Sequence, residues 1–322
     1  MSLEKASIET KNDYIEKFVS SMHHMMRLIW KYRAFYVLLL PGLIYFLVFK
    51  YAPMYGISIA FKDFSPFRGI HGSEWVGVKH FVRLFESPDF WNVLRNTLII
   101  SLYKLIFGFP APIILALLLN ELRKMMFKRT IQTIVYLPHF ISWVIVGSIA
   151  YVILSPSAGV VNYLIELFGG EPIFFLANRK WFRPILVMTE IWKNSGWGTI
   201  VYLAAITSIS PEIYESAIVD GANRWQQALH ITLPSIRSVI VVLLILRVGR
   251  ILDVGFQQIL VLYNPAVYDI ADVFGTFVYR VGLTQAQYSF ATAVGLFKGV
   301  VGLVMVITTN KIAKWFGQSG IW

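Results

Sequence analysis

The sequence predicts an all-α protein that crosses a membrane about six times. Three observations carry that expectation. Of 322 residues, 57% are hydrophobic and only 15% charged, a balance outside the range of soluble domains. Six apolar runs, at about 34–56, 93–119, 131–154, 185–207, 236–260 and 288–313, each approach the ~20 residues needed to cross the hydrocarbon. Lys and Arg, finally, concentrate in those connections that an even number of spans puts on one side.

Residues 1–33 are polar and basic and form a segment distinct from the membrane domain, 34–322. Phe18, Met22, Met25, Met26 and Ile29 recur at helical spacing among Lys17, Arg27, Lys31 and Arg33. That pattern predicts an amphipathic helix lying on anionic lipid at the cytoplasmic face. His23 and His24 adjoin without a ligand at i+4, so they predict an exposed pair and no metal site. The first apolar run starts near Ala34 and is too long for a signal-peptide core, which predicts a retained span. Pro41, Pro110, Pro112 and Pro138 lie in or at the starts of runs, where neighbouring helices can satisfy the carbonyls they free.

Orientation follows from the basic residues. Fourteen Lys and Arg fall in the N-terminal segment, the 120–130 loop, the 210–237 connection and the tail; nine fall in the longer loops of the other face. The denser face is expected in the cytoplasm, with both termini. The formal net charge of +11 then reflects lipid-facing loops, with no nucleic-acid partner expected. The outer loops, about 57–92, 155–184 and 261–287, are rich in aromatics such as Trp75, Trp91, Trp181 and Tyr268. An interfacial aromatic belt and a partner-docking surface both fit them.

Ionisable groups within spans are costly and face a cavity or a partner. The second run opens with Arg95 and Asn96, read as interface markers. The fourth carries Glu190, Lys193 and Asn194, with an i,i+3 pair of opposite charge that can neutralise itself and with Trp192 and Trp197 beside it. The fifth carries Arg247, Arg250, Asp253, Gln257 and Gln258, which fall within an arc of about 140° on a continuous helix. There Arg250 and Asp253 stand at pairing distance. The stripe fits a wall that contacts a sugar and equally a polar seam between subunits. Lys298 lies between Gly295 and Gly299, a spacing that favours close helix packing.

Between the fourth and fifth runs stands a polar stretch, 210–234, that reads as a helix–turn–helix. Ser210 suits an N-cap, Pro211 the first helical position and Glu212 the positive end of the helix dipole. Gly221 can end the helix in a left-handed conformation, and Asn223 can cap a second helix that stops before Pro234. The order Tyr214-Glu215-Ser216-Ala217, Asp220-Gly221, then Ile231-Thr232-Leu233-Pro234 resembles the EAA loop of binding-protein-dependent ABC importers. Ser216 at the middle position is the one departure, small for small. Tyr136-Leu137-Pro138 and the 192–197 stretch resemble the carbohydrate-importing branch, and within it the permease subunits of bacterial alginate importers.

The resemblance implies a type I importer permease fold in the bacterial cytoplasmic membrane, working by alternating access. It implies that 210–234 is a coupling helix for a cytoplasmic ATPase, with Tyr214, Glu215, Ser216, Ala217, Asp220, Gly221, Trp225, Leu233 and Pro234 at the joint. A second permease subunit, two ATPase subunits, a periplasmic solute-binding protein and a carbohydrate cargo are the implied partners. The chain has no GxxxxGK[ST] loop, so ATP and Mg are expected on the ATPase subunits and no cofactor on this chain. Neither a catalytic centre nor a metal site is expected; no HExxH motif, His cluster or paired catalytic carboxylates stand at a membrane face, and there is no cysteine. The basic surplus of Lys193, Arg247, Arg250 and Lys298 over Glu190 and Asp253 favours an acidic oligosaccharide. An ion-coupled secondary sugar transporter is the competing class; it predicts inverted repeats and an ion site, and leaves the elbow unexplained.

Overall fold

The computed structural model describes residues 22, 25–317, 320 and 321. The amphipathic segment up to residue 21, and the His23–His24 pair, lie outside the described residues. The chain divides into two compact units, 1–58 and 59–322. The first is dominated by one apolar helix, α1 (Arg33–Phe46), which runs on through Pro41 as a helical segment to Phe61. Its side chains are apolar all round and none of them is buried within Arg33–Phe46, as suits a helix solvated by lipid.

The second unit opens with a two-stranded antiparallel ribbon, β1 (Lys62–Asp63) and β2 (Glu74–Trp75), against which α2 (Lys79–Glu86) is tied through the bond between His80 and the Lys62 carbonyl. Then follow α3 (Pro88–Tyr103) and α4 (Pro110–Asn120), one continuous crossing joined by a wider turn at 104–108. Next come α5 (Met125–Tyr136), α6 (Trp143–Ile153), α7 (Val160–Leu167) and α8 (Arg179–Thr207). The elbow provides α9 (Pro211–Val219) and α10 (Arg224–Gln227), followed by α11 (Arg237–Gly249), α12 (Phe256–Leu262), α13 (Phe274–Val278) and α14 (Tyr288–Trp315).

Among the described residues, up to five of the six expected crossings qualify by length and composition, in two forms. Three helices are long and apolar enough to cross alone: Arg33–Phe61, Pro88–Asn120 and Tyr288–Trp315. The run at 131–154, expected as one span, bends by 103° between α5 and α6. The run at 236–260 is likewise no single helix. It meets the elbow at a 62° bend, ends at Gly249 and resumes only at Phe256. The 29 residues of α8 make about 43 Å, ample to cross, although α8 is too polar to qualify by composition. It packs against α4, α5 and the 137–140 turn, and its buried polar side chains Lys193 and Thr199 bond to carbonyls of those neighbours.

Three clusters hold the second unit together. At the elbow end, Ile113 and Leu119 of α4 meet Tyr202 and Ile206 of α8 and Ile236. In the middle and toward the 155–184 loop, Ile100, Phe182, Leu186 and Ile259 form a second. The third is aromatic, with Phe90, Phe274, Phe277 and Phe290 in edge and tilted contacts. Gly295 and Gly299, expected to pack closely, face open space. The close crossing of α14 is instead at Gly302, which meets the Gly249 backbone of α11.

Candidate functional site

Where α11 stops, the backbone turns away from its helix and opens a cavity of about 470 Å³ between α3, α8 and the 250–255 segment. Gly255 makes the turn possible, with φ of +56°, and a side chain there would also meet the Lys104 ammonium and Gln258. Ser101 fixes the far side by donating its hydroxyl to the Ile251 carbonyl.

Glu190 is the hub of the cavity wall. One carboxylate oxygen accepts from Arg247 at 2.6 Å, and the other pairs with Lys104. Lys104 has a side-chain exposure of 3%, Glu190 of 14% and Arg247 of 44%, so the chain of charges runs from the packed interior to the cavity. Lys104 also donates to Gln258 Oε1 at 2.6 Å, and the Gln258 amide donates to the Leu186 carbonyl and to Thr189. Every polar atom of this interior cluster is thus engaged, as burial in a low dielectric demands. Arg250 lines the same cavity, is exposed, and has no ion-pair partner among the described residues.

This geometry revises the expected pairs. Glu190 does not neutralise Lys193, and Arg250 does not pair with Asp253, whose carboxylate lies 3.5 Å from Lys298. Both expectations assumed contact along one helix, whereas the partners come from other elements; for Arg250 the helix has already ended. The expected stripe of 247–258 does not form, for the same reason. Gln257 is exposed and off the cavity, while Gln258 enters the network. Of the other expected pathway residues, Glu190, Asn194, Arg247, Arg250 and Asp253 line the cavity; Lys193 and Lys298 do not. Lys104 was missed by sequence reasoning, although a lysine at the heart of an apolar run is a signal in its own right.

Lys193 has a different task. Only 6% exposed, it donates to the carbonyls of Pro138 at 3.3 Å, His139 at 2.6 Å and Ile141 at 2.5 Å. These belong to the sharp bend between α5 and α6; the Pro138 carbonyl also accepts from the Ile141 amide at 3.2 Å, so the His139 and Ile141 carbonyls are the ones that rely on Lys193. Asn194 and Trp197 brace the same bend: Asn194 Oδ1 lies 3.1 Å from His139 Nδ1, and the Trp197 and His139 rings stack at 4.6 Å. Asn96 is also structural and not an interface marker. It is buried, donates to the carbonyls of Asp269 and Asp272, and accepts from Arg183 at 2.8 Å.

The elbow folds as its residues demand. Pro211 begins α9, and Asp220 and Gly221 end it, with Gly221 at φ +80°. Asn223 and Gln226 form a reciprocal cap at the start of α10. Ser210 occupies the N-cap position of α9, but its hydroxyl caps nothing. Tyr214 braces the two arms through its hydroxyl, 2.9 Å from the Thr232 hydroxyl. Glu215 is exposed and has no hydrogen-bond or ion-pair partner among the described residues; Ser216 and Asp220 are exposed beside it and Ala217 is half-buried. Trp225, Leu233 and Pro234 line an apolar groove against α4.

Residues 108–319 match the model of a protein family described as the binding-protein-dependent transport system inner membrane component. The chain belongs to this family. As an inner membrane component of a transport system it is a transport permease, and the ion-coupled alternative falls away. The permease is 54% identical over 287 residues, 89% of each chain, to the polygalacturonan/rhamnogalacturonan transport system permease protein YteP of Bacillus subtilis (strain 168). It is 54% identical over 286 residues, 89% of this chain and 90% of the other, to protein LplB of the same organism. Among solved structures it resembles a chain of a bacterial alginate ABC transporter in complex with an alginate pentasaccharide-bound periplasmic protein. That likeness has a TM-score of 0.84 at 47% identity and covers 92% of this chain and 99% of the other.

A second concavity of the permease, of about 650 Å³, lies beside α6 and the 261–266 loop, with Tyr151, Phe174, Tyr263 and Asn264 in its wall. Burial lifts the Tyr263 phenol above its ordinary range, which keeps it a hydrogen-bond donor.

Proposed function

We propose that this permease forms one half of the pathway by which a uronate-rich oligosaccharide enters the cell, and that the elbow couples it to an ATPase. The cargo reading is supported by one feature above others. The cavity wall carries Lys104, Arg247 and Arg250 against Glu190 and Asp253, and Arg250 has no ion-pair partner among the described residues. A guanidinium offers a carboxylate two parallel donors, the recognition a uronate needs. The names of its relatives agree in chemistry, polygalacturonan and alginate both being acidic polysaccharides. A second permease subunit completes the pathway, a periplasmic binding protein delivers the cargo, and two ATPase subunits hold ATP and Mg. Both termini and the elbow face the cytoplasm, in keeping with the distribution of Lys and Arg.

The assembled complex, reconstituted with its binding protein, tests the cargo. A uronate oligosaccharide is expected to stimulate ATP hydrolysis and a neutral oligosaccharide of equal length to leave it at the basal rate. Arg250→Gln is expected to raise the half-stimulating concentration about tenfold, the equivalent of one charge-assisted bond. Equal stimulation by the neutral sugar, or an unmoved Arg250→Gln, rejects the uronate reading.

Coupling has its own test. The unpartnered Glu215 carboxylate on the exposed face of α9 is suited to a cation on the ATPase. Glu215→Lys is expected to weaken ATPase recruitment about tenfold or more and to stop uptake, with the permease itself normally folded. Unchanged recruitment would remove Glu215 from the joint.

A further inference from the structure

The cavity between α3, α8 and the 250–255 segment holds a group that its charges leave unused. Among the described residues that line it, Trp143 is the one aromatic side chain. Trp192 and Trp197, which the sequence sets beside the polar groups of α8, do not line it, and Trp197 is stacked on His139 at the bend. Trp143 is the first residue of α6 and follows the 103° bend directly, with Ser142 capping the helix by accepting from the Ile145 amide at 3.4 Å. The bend that Lys193 braces therefore carries this indole to the cavity wall.

The neighbours of the indole decide which face is free. The Lys193 ammonium lies over the ring, 5.6 Å from its centroid. Lys193 is buried and does not line the cavity, so that face of the ring is turned into the protein. Trp143 is half-buried, and the part of it that meets the cavity lies on the other side. Its indole N–H has no hydrogen-bond partner among the described residues, which leaves it to water or to an oxygen in the cavity. This arrangement suits one class of ligand. A flat apolar face takes the C–H face of a pyranose ring, and the N–H at its edge takes a hydroxyl or ring oxygen. A bare indole face is electronegative and repels a carboxylate; an ammonium behind the ring offsets that repulsion.

We propose that Trp143 is the platform on which a pyranose ring of the cargo stacks, its cavity face against the sugar and Lys193 behind it. The inference rests on the reading of this cavity as the cargo pathway, and it adds a contact that reads the ring where Arg250 reads the carboxylate. An acyclic acid satisfies Arg250 alone; a sugar acid satisfies both.

The test uses the assembled complex reconstituted with its binding protein, and reads the concentration of a uronate oligosaccharide that half-stimulates ATP hydrolysis. Trp143→Phe keeps a flat face and is expected to stay within about threefold of the parent. Trp143→Leu keeps apolar bulk without that face and is expected to raise the value about tenfold, the worth of one ring face removed from water. Amide exchange over 137–142 is expected at the parental level in both, since Lys193 still holds the bend; a purely structural role for the indole would raise it. Trp143→Met repeats the comparison with an unbranched chain, so that a folding defect peculiar to leucine is recognised as one. A Trp143→Leu complex with unchanged half-stimulation, or one whose loss comes with raised exchange at 137–142, overturns the platform. The two readings fail separately. If a neutral oligosaccharide stimulates equally and Arg250→Gln is silent while Trp143→Leu still weakens the response, the uronate reading falls and the platform stands. If Arg250→Gln weakens the response and Trp143→Leu does not, the platform falls and the uronate reading stands.

Discussion

Replacing Glu190 with glutamine is expected to destabilise the permease by about 3–5 kcal/mol, the usual cost of removing one partner from a buried charge pair. The reason is Lys104. Its ammonium is almost wholly buried, and its remaining neutral partner is Gln258 Oε1. Without the carboxylate, Lys104 and Arg247 face each other across a neutral amide that cancels neither charge. Arg247 can turn to the cavity and its water, being 44% exposed, but Lys104 cannot. The double variant Lys104→Met, Glu190→Gln removes both buried charges and should recover most of the loss, leaving a coupling of about 2–3 kcal/mol in the cycle. Thermal unfolding of the assembled complex reads all four members. A Glu190→Gln single variant as stable as the parent would show that Glu190 does not compensate Lys104.

Lys193→Met is the second large effect. The side chain keeps most of its apolar stem and loses its charge, and the carbonyls of His139 and Ile141 lose their donor, while that of Pro138 keeps the Ile141 amide. The bilayer offers no water to replace it. At about 1–3 kcal/mol for each of the two carbonyls left unsatisfied, and with some relaxation, the cost is on the order of 2–5 kcal/mol, concentrated at one bend. Amide exchange in 137–142 should rise by orders of magnitude, and assembly with partner subunits should fall. Asn194→Ala, which removes a single contact to His139, should cost only about 1 kcal/mol. If Lys193→Met left exchange at 137–142 unchanged, the carbonyls would have another donor and the role assigned to Lys193 would be wrong.

The elbow was legible because its information is local. Pro211 at a first turn, Gly221 where φ must be positive and Asn223 three residues before Gln226 act within a few residues of each other. The straight crossings were legible, since ~20 apolar residues suffice to name a span. The bends were not. Hydropathy averages over a window and cannot see that 131–154 turns by 103° or that 236–260 stops at Gly249.

The polar pairs failed for a related reason. An i,i+3 pair is a statement about one continuous helix, and the lipid-excluded interior of this protein satisfies its charges across helices. Glu190 finds Lys104 from α3 and the turn after it, and Asp253 finds Lys298 from α14. Lys193 bonds three carbonyls and leaves Glu190, its expected i,i+3 partner, to Lys104 and Arg247. By itself, then, the sequence determined the membrane class, the single-helix crossings and the helix–turn–helix of the elbow, because each depends on composition or on neighbours in the chain. Only the tertiary structure decided which charges are structural and which face the cavity. That choice depends on contacts between segments far apart in sequence, and on where two helices break to let those contacts form.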